Sequence, residues 1–335
     1  MTENKRKIIS SYRNGNYNVL LFNDGTKIRF NNLDNLTPSF AENIDIKLTD
    51  KCDGLCKYCY EGSSINGKHG DILNLKFWDT LHRGQEVAIN GNDLSHPDLI
   101  TLLEKLQKQG IIVNMTLNQI HFLKYIDKVK ELINNKLIYG LGVSLVYPSD
   151  LLLNTLKDPI FKNVVIHTIN GILTPEQVYK LKDKDIKLLI LGYKHLKRGE
   201  DYFNKEKDLI EINQKWLEDN IKDLFDHFSI ISFDNLAIEQ LNIKNKVNSK
   251  TWNECYMGDD GTTTFYIDCV ERKFAINSTA PMNKRYDLLD NVDDMFNKIK
   301  KLDTLWKKYS KQFIISFSVW NIHFTNAIMY FPESF

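Results

Sequence analysis

From about residue 43 to residue 200 the chain alternates short β-branched runs with amphipathic stretches, and this alternation restricts the fold more than any other feature. "NIDIKLTD", "EVAINGND", "IIVNMTLN", "IYGLGVSLV", "NVVIHTING" and "IKLLILGYK" read as six strands. Between them lie a helix-like stretch around Leu73 to Arg83, then "HPDLITLLEKLQKQG", "IHFLKYIDKVKELI", a short helix after Pro148, and "TPEQVYKLKDK". In the second of these, Pro97 suits a first turn, leucines recur at helical spacing, and Gly110 can cap the end. A strand that returns through a helix lies parallel to the strand before it. Six such units predict an α/β fold built on a parallel sheet, closed into a full or partial barrel.

The flanks have a different character. Residues 7 to 30 carry "NGN" and "NDG" turn signals between apolar or alternating runs, the pattern of an antiparallel hairpin or meander. Residues 204 to 228 read as helix, and "SIISFDN" as a seventh strand. Beyond them "TTTFYIDCVERKFAIN" predicts a hairpin turning near Glu271 and Arg272, and residues 291 to 310 predict a helix. The expected organisation is an N-terminal hairpin over 1–42, a barrel over 43–235, and a C-terminal α+β extension over 236–335 that caps it.

Three of the five cysteines, Cys52, Cys56 and Cys59, stand in a C-x3-C-x2-C array directly after the first predicted barrel strand. Parallel barrels carry their chemistry on loops at the carboxyl ends of strands, so position and chemistry agree. Three thiolates can hold three corners of a cubane iron-sulfur cluster and leave the fourth iron open. The alternatives are a zinc site completed by a histidine such as His69, and reduced thiols gathered by chance. No apolar run approaches the ~20 residues that span a bilayer, and the first residues lack the apolar core of a signal peptide. The expected location is therefore the cytoplasm, where thiols stay reduced. A formal charge of +1 gives no electrostatic reason for a nucleic-acid partner.

The array C-x3-C-x-aromatic-C, with Tyr58 in the aromatic position, resembles the signature of the radical S-adenosylmethionine (radical SAM) superfamily. The resemblance implies a partial (β/α)6 parallel barrel and a [4Fe-4S] cluster held by Cys52, Cys56 and Cys59. It further implies that SAM chelates the open iron through its amino and carboxylate groups. Reductive cleavage of SAM then gives methionine and a 5′-deoxyadenosyl radical that takes hydrogen from a substrate. "INGNDLSHPDL" is similar to the family's Gly-Gly-Glu-Pro stretch, which puts Asn90, Gly91, Asn92 and Asp93 at the SAM amino group. "MTLNQ" resembles its Thr-Asn-Gly segment and brings Asn118 to the site. "GVSLV" resembles its Ser-Leu-Asp stretch, so Ser144 faces the ribose or carboxylate, with Val146 in the acid's place. The fifth and sixth strands correspond to the segments that flank adenine. The resemblance spans residues 43 to 200.

Further candidates come from the residues themselves. Lys194 and Arg198, just past the sixth strand, can pair with the SAM carboxylate or a substrate acid, or simply be solvated. His167 in the fifth strand is a core histidine or a hydrogen-bonding partner of substrate. Asp234 can cap the next helix or touch substrate. Cys255 opens the loop "MGDDG", which can fold over the barrel mouth, and is a candidate hydrogen donor to a substrate radical. Asp259 and Asp260 are turn residues, and Cys269 alternates like a small buried apolar residue. Two remaining cysteines cannot hold a second cubane, so no auxiliary-cluster extension is expected. The expected activity is that of an oxygen-sensitive radical SAM enzyme supplied by a donor such as flavodoxin or ferredoxin. Its substrate is a small molecule rather than a peptide. The alternatives are an activating enzyme that makes a protein radical and a non-catalytic iron-sulfur or zinc protein.

Overall fold

The computed structural model describes residues 6–33, 35–304, 317–318 and 328–330. Three antiparallel strands come first: β1 (Ile8–Asn14), β2 (Tyr17–Phe22) and β3 (Lys27–Phe30). The six expected strands follow as β4 (Asn43–Lys47), β5 (Glu86–Asn90), β6 (Ile112–Asn118), β7 (Gly140–Ser144), β8 (Val164–Ile169) and β9 (Lys187–Leu191). They pair in chain order, all parallel. The seventh, β10 (Ile230–Phe233), lies parallel to β9.

Part of the last third joins this sheet as strands. β11 (Thr264–Asp268) inserts parallel to β4, and β12 (Lys273–Ala275) turns back from it at Arg272, which takes a φ of 51°. β13 (Tyr286–Asp287) adds to β12. Of the two short strands after residue 304, β14 (Phe317–Ser318) joins β3 and β15 (Ile328–Tyr330) joins β10. The larger sheet has eleven strands among the described residues, in the order β13-β12-β11-β4-β5-β6-β7-β8-β9-β10-β15.

Among the described residues the α-helices are α1 (Leu99–Gln109), α2 (Gln119–Lys124), α3 (Ile126–Asn134), α4 (Asp150–Thr155), α5 (Pro175–Leu181), α6 (Arg198–Leu224), α7 (Asn235–Gln240), α8 (Ser249–Cys255) and α9 (Val292–Thr304). Local chemistry sets their ends. Gly110 closes α1 in the left-handed region, while Thr174 and Gln177 form a reciprocal capping box on α5 with Pro175 at its start. Three expectations change. The stretch from Leu73 to Arg83 forms only a 3-10 turn, Lys76–Thr80. Adjacent Phe77 and Trp78 are both buried, which the narrow stripe of an amphipathic α-helix does not favour. The single helix expected after β6 breaks at Tyr125 into α2 and α3. The helix expected from 204 starts at Arg198 and kinks at Glu206. Residues 305–310 of the last expected helix lie outside the described residues.

Alternate residues of each parallel strand point into one apolar layer. Ile44, Ile46, Val87, Ile89, Val113, Met115, Val143, Ile166 and Ile190 pack there with Leu102, Leu106, Leu132, Val178 and Leu217 of the helices. Each such side chain contributes about 1.5–3 kcal/mol by leaving water. The opposite face of the same strands carries buried Asp45, Lys47, Asn90, Asn114, Thr116, His167 and Asp268. A parallel sheet ordinarily buries apolar residues on both faces, so this polar face marks where a site belongs. Gly142 is needed on it: a Cβ there would lie 2.3 Å from the His167 ring and 2.7 Å from Thr116 Oγ1. On β6, β8 and β9 the face also carries an apolar patch, where Leu21 of β2 packs on Ile112, Val165 and Leu189.

Candidate active site at the carboxyl ends of the strands

The cysteine loop leaves β4 and is tied at both ends to one buried cation. Lys47 Nζ, at the end of β4, lies 2.5 Å from Asp50, 3.0 Å from Glu61 and 3.3 Å from Asp268 of β11. Asp50 precedes Cys52 by two residues and Glu61 follows Cys59 by two. Burial works against the Lys47 ammonium, but these carboxylates outweigh it and raise its pKa. Two backbone bonds add to the clamp, from Cys52 N–H to Ser64 O (2.8 Å) and from Ser64 N–H to Asp50 O (3.0 Å).

The three thiols are half-buried and none is in a disulfide. Burial raises the Cys52 and Cys56 pKa values, and the neighbouring cysteines raise them further. Thiols whose charges are opposed in this way, as those of Cys52 and Cys56 are, gain from a bound metal, which keeps thiolates deprotonated. The Gly54 N–H donates to Cys52 Sγ at 3.3 Å, and Asn118 Nδ2 donates to Cys56 Sγ at 3.4 Å. Arg198 Nε donates to Cys56 O at 3.1 Å, and its charge works to lower the pKa of both thiols. Arg198 is therefore a member of the cysteine loop's surroundings, not a solvated charge.

Tyr58 stands edge-on to Tyr202 of α6 at 5.9 Å. Burial, with the nearby Cys56, raises its phenol pKa. Gly199 lets α6 approach: a Cβ there would meet Lys194 O at 2.5 Å and Tyr58 O at 3.5 Å.

At the end of β5, Asn90, Asn92 and Asp93 are all buried. Both Asp93 oxygens and Asn90 Nδ2 are shut from solvent without a hydrogen-bond partner. Burial alone pushes the Asp93 carboxyl up to about 8. Gly91 has a φ of 117°, a conformation that favours glycine, and a Cβ there would meet Thr49 O at 3.7 Å and Asp93 Oδ1 at 3.8 Å, ordinary contacts. Ser144 lies opposite Asn118 and His167 in register. Burial lowers the His167 pKa to about 3, so its ring is neutral.

Lys194 points elsewhere. Its Nζ sits 4.0 Å over the Tyr60 ring and 3.5 Å from Ser278 Oγ, on a cavity that also contains Asp234 and Asp260. Asp234 does cap α7, accepting from Ala237 N–H at 2.8 Å, and it also accepts from Gly192 N–H at 2.8 Å. Asp260 is more than a turn residue, for its two oxygens accept from Asn235 (2.7 Å) and Asn277 (2.6 Å). Cys255 is buried in the apolar layer, and burial raises its thiol to about 11, an environment unsuited to a hydrogen donor facing substrate. Cys269 is buried as expected.

His69 does not approach the thiols as a fourth ligand: its Nδ1 bonds Thr49 Oγ1 at 2.9 Å and its ring meets His96 edge-on at 4.8 Å. The histidine beside the loop is His121, whose Nε2 lies 2.7 Å from Asp53 Oδ1. Among the described residues, Cys52, Asp53 and His121 form one tight donor set, with ligand atoms within 4.8 Å of one another. The sequence reading missed both Asp53 and His121. The one signal available was that "NQIH" places a histidine three residues after Asn118, on the helix that opens at the site.

No family model matches the sequence, and no curated protein matches it. Among solved structures it is similar to Streptococcus suis SuiB, whose crystal structure was solved bound to precursor peptide SuiA. The identity is 16%, the TM-score is 0.44, and the match covers 83% of this chain and 63% of that one. The chain thus spans less than two thirds of that protein's length. Among the described residues no helix is long and apolar enough to cross a membrane.

Proposed function

We propose that this chain is a radical SAM enzyme, with a partial (β/α)6 barrel formed by β4 to β9 and a [4Fe-4S] cluster on Cys52, Cys56 and Cys59. The observation that carries the reading is three free, half-buried thiols on one loop at the carboxyl end of β4. Their donor chemistry fits an iron-sulfur cluster, since soft thiolates select it over hard cations. The partnerless Asp93 oxygens and Asn90 Nδ2 fit a second group, because buried polar atoms in a native protein are normally satisfied by something.

Bound together, the cluster and SAM supply reductive cleavage of SAM to a 5′-deoxyadenosyl radical that takes hydrogen from substrate. The chain's own part is binding and exclusion. Lys47 holds the two ends of the cysteine loop in place. Asn118 and Gly54 donate to two of the sulfurs, which favours their thiolate form. Arg198 adds positive charge beside them. Asn90, the Gly91 backbone and Asp93 seat the SAM amino group, Asp93 as a neutral acid or a carboxylate according to pH. Asn92 orients the loop by donating from Nδ2 to Asp53 Oδ1 at 3.3 Å. Ser144 meets the ribose or carboxylate.

The test is reconstitution with iron and sulfide without oxygen, followed by reduction in the presence of SAM. The expected result is a brown protein whose electron paramagnetic resonance changes on adding SAM and which releases 5′-deoxyadenosine. An unchanged signal with no 5′-deoxyadenosine overturns the proposal.

One observation favours a second reading, a single metal ion on Cys52, Asp53 and His121, whose donor atoms already lie close together. It predicts a colourless protein that takes up zinc stoichiometrically and loses it in a His121→Ala variant.

A further inference from the structure

The long helix α6 begins against the cysteine loop and is tied to it at its start. Arg198, its first residue, donates from Nε to Cys56 O at 3.1 Å. Lys197 Nζ donates to Glu61 O at 2.6 Å, and Tyr202 meets Tyr58 edge-on at 5.9 Å. The loop is thus held on both sides of Cys59. Two backbone features permit the approach. Lys197 takes a φ of 49° with a ψ of −126°, a conformation that L-residues rarely adopt and that the surrounding contacts must hold. Gly199 lacks the Cβ that would lie 2.5 Å from Lys194 O, and its own carbonyl accepts from the Tyr193 hydroxyl at 2.8 Å.

This start also brings charge to the thiols. Arg198 is half-buried, and among the described residues no carboxylate pairs with it. Glu200 in the same turn lies toward His195, at 3.5 Å. Lys47, by contrast, is met by Asp50, Glu61 and Asp268, so its charge is balanced within the protein. The Arg198 charge reaches both Cys52 and Cys56. The carboxylate that opposes it there is Asp53, which acts on Cys52 and whose Oδ1 accepts from His121 and Asn92. A guanidinium without a countercharge, set behind thiols, favours added negative charge in front of it.

We propose that Arg198, with the amino end of α6, sets the reduction potential of the centre held by the three cysteines. The proposal rests on the [4Fe-4S] reading of those cysteines. Arg198 is a positioning residue: it touches the loop at the Cys56 carbonyl and acts on the centre through that peptide and through its charge. Three thiolates on an oxidised [4Fe-4S] core leave a net negative charge, and taking up one electron adds one more. A fixed cation and the positive end of a helix favour the reduced form and raise the potential. The electron comes from the external reductant, and Arg198 neither gains nor loses one.

The experiment uses the full chain, reconstituted with iron and sulfide without oxygen. The cluster is titrated with dithionite in the presence of redox mediators, and its reduced form is followed by electron paramagnetic resonance. Arg198→Gln keeps an amide N–H for the Cys56 carbonyl but removes the charge, whereas Arg198→Lys keeps the charge. The glutamine variant is expected to shift the one-electron equilibrium about tenfold toward the oxidised form, a potential lower by about 59 mV. The lysine variant should recover most of that shift. Glu200→Gln removes an opposing charge from the same helical turn and should move the equilibrium the other way, by about twofold. Because Glu200 makes no contact with the loop, this variant reports on the field even where Arg198→Gln assembles no cluster.

An unmoved potential in both glutamine variants, or an equal drop in Arg198→Gln and Arg198→Lys, overturns the proposal. So does a lowered melting temperature with the parental potential, which is the mark of a structural role. A parental potential with weaker SAM binding by calorimetry assigns Arg198 to the SAM carboxylate instead. A parent chain that assembles no cluster overturns this proposal and the radical SAM reading together. Shifted potentials without 5′-deoxyadenosine release leave Arg198 in its role and remove that reading, and the opposite pair of results does the reverse.

Discussion

The two ends of the parallel strands both bury charge, yet they treat it differently. At the amino ends, β1 to β3 lie across the sheet and bring Lys27 and Arg29 to Glu42 and Glu86. Arg29 bonds Glu42 at 2.7 Å, Tyr17 donates to Glu42 at 2.5 Å, and Lys27 pairs with Glu86 and, at 3.4 Å, with Glu42. At the carboxyl ends, Asp93, Asn90 Nδ2 and the Asn235 oxygen are buried with no protein partner. The floor's charges answer one another, while the rim leaves acceptors and donors open. The floor has exceptions among the described residues: the Thr26 and Thr264 hydroxyls and the Tyr12 phenol are shut from solvent without a hydrogen-bond partner, and burial and Glu42 raise the Tyr12 pKa. The difference separates two uses of buried polarity: a paired network fixes how elements dock, and an unpaired one waits for a ligand.

The contrast can be broken by substitution, and the largest effect is expected at the rim. Cys56→Ser should remove cluster iron and abolish 5′-deoxyadenosine release, measured by iron content and product analysis. Its melting temperature should stay near that of the parent, because Cys56 is half-buried and a serine hydroxyl can still accept the one bond that reaches it from another element, from Asn118 Nδ2. A variant that keeps iron and activity would show that the loop is not the metal centre.

On the floor, Glu42→Gln should do the opposite. Removing one partner of a buried pair costs about 3–5 kcal/mol, read as a lower denaturation midpoint, with activity per folded molecule unchanged. Burial works to raise the Glu42 carboxyl, but Arg29 and Lys27 outweigh it and hold it at about 2. A depressed carboxyl stabilises the fold above its unfolded value, near 4.5, and that contribution is lost as pH falls toward 2. Acid titration of stability should therefore be flatter in the variant over this window.

Asp93→Asn should move stability the other way, by on the order of a few kcal/mol. Because the native carboxyl titrates at about 8 and the unfolded one near 3.8, the folded state is penalised progressively as pH rises from 4 to 8. The variant should be more stable than the parent at pH 7, the gap should close toward pH 4, and SAM should bind it more weakly. A variant of equal stability at both pH values would place Asp93 among the satisfied groups.

The smallest effect should come from His121→Ala, which leaves cluster iron unchanged if the three thiols suffice. Loss of metal from this variant would favour the site shared by Cys52, Asp53 and His121.

Much of the scaffold was legible because its signals are local. Strand and helix periods are written into neighbouring residues, and so β4 to β10, the N-terminal meander and the hairpin near Arg272 lie where the sequence placed them. The failures were also physical. Adjacent Phe77 and Trp78 suit a tight turn better than an amphipathic helix, and α6 begins early because Arg198 and Gly199 meet the cysteine loop. In the candidate site, the three cysteines were readable from spacing, and Asn118 from the resemblance of "MTLNQ" to a family segment. His121 was not, since nothing local says that Asp53, 68 residues away, will accept its hydrogen bond.

What the sequence determined by itself was therefore the alternation that makes the sheet parallel and the three thiols that follow its first strand. Tertiary structure alone decided that β11 would lie beside β4, that Lys47 would bind both ends of the cysteine loop, and that Asp45, Asn235 and Asp260 would share a cavity. The reason is range: periodicity and spacing act over a few residues, whereas a buried group's partner, or the lack of one, depends on which distant segments fold against it.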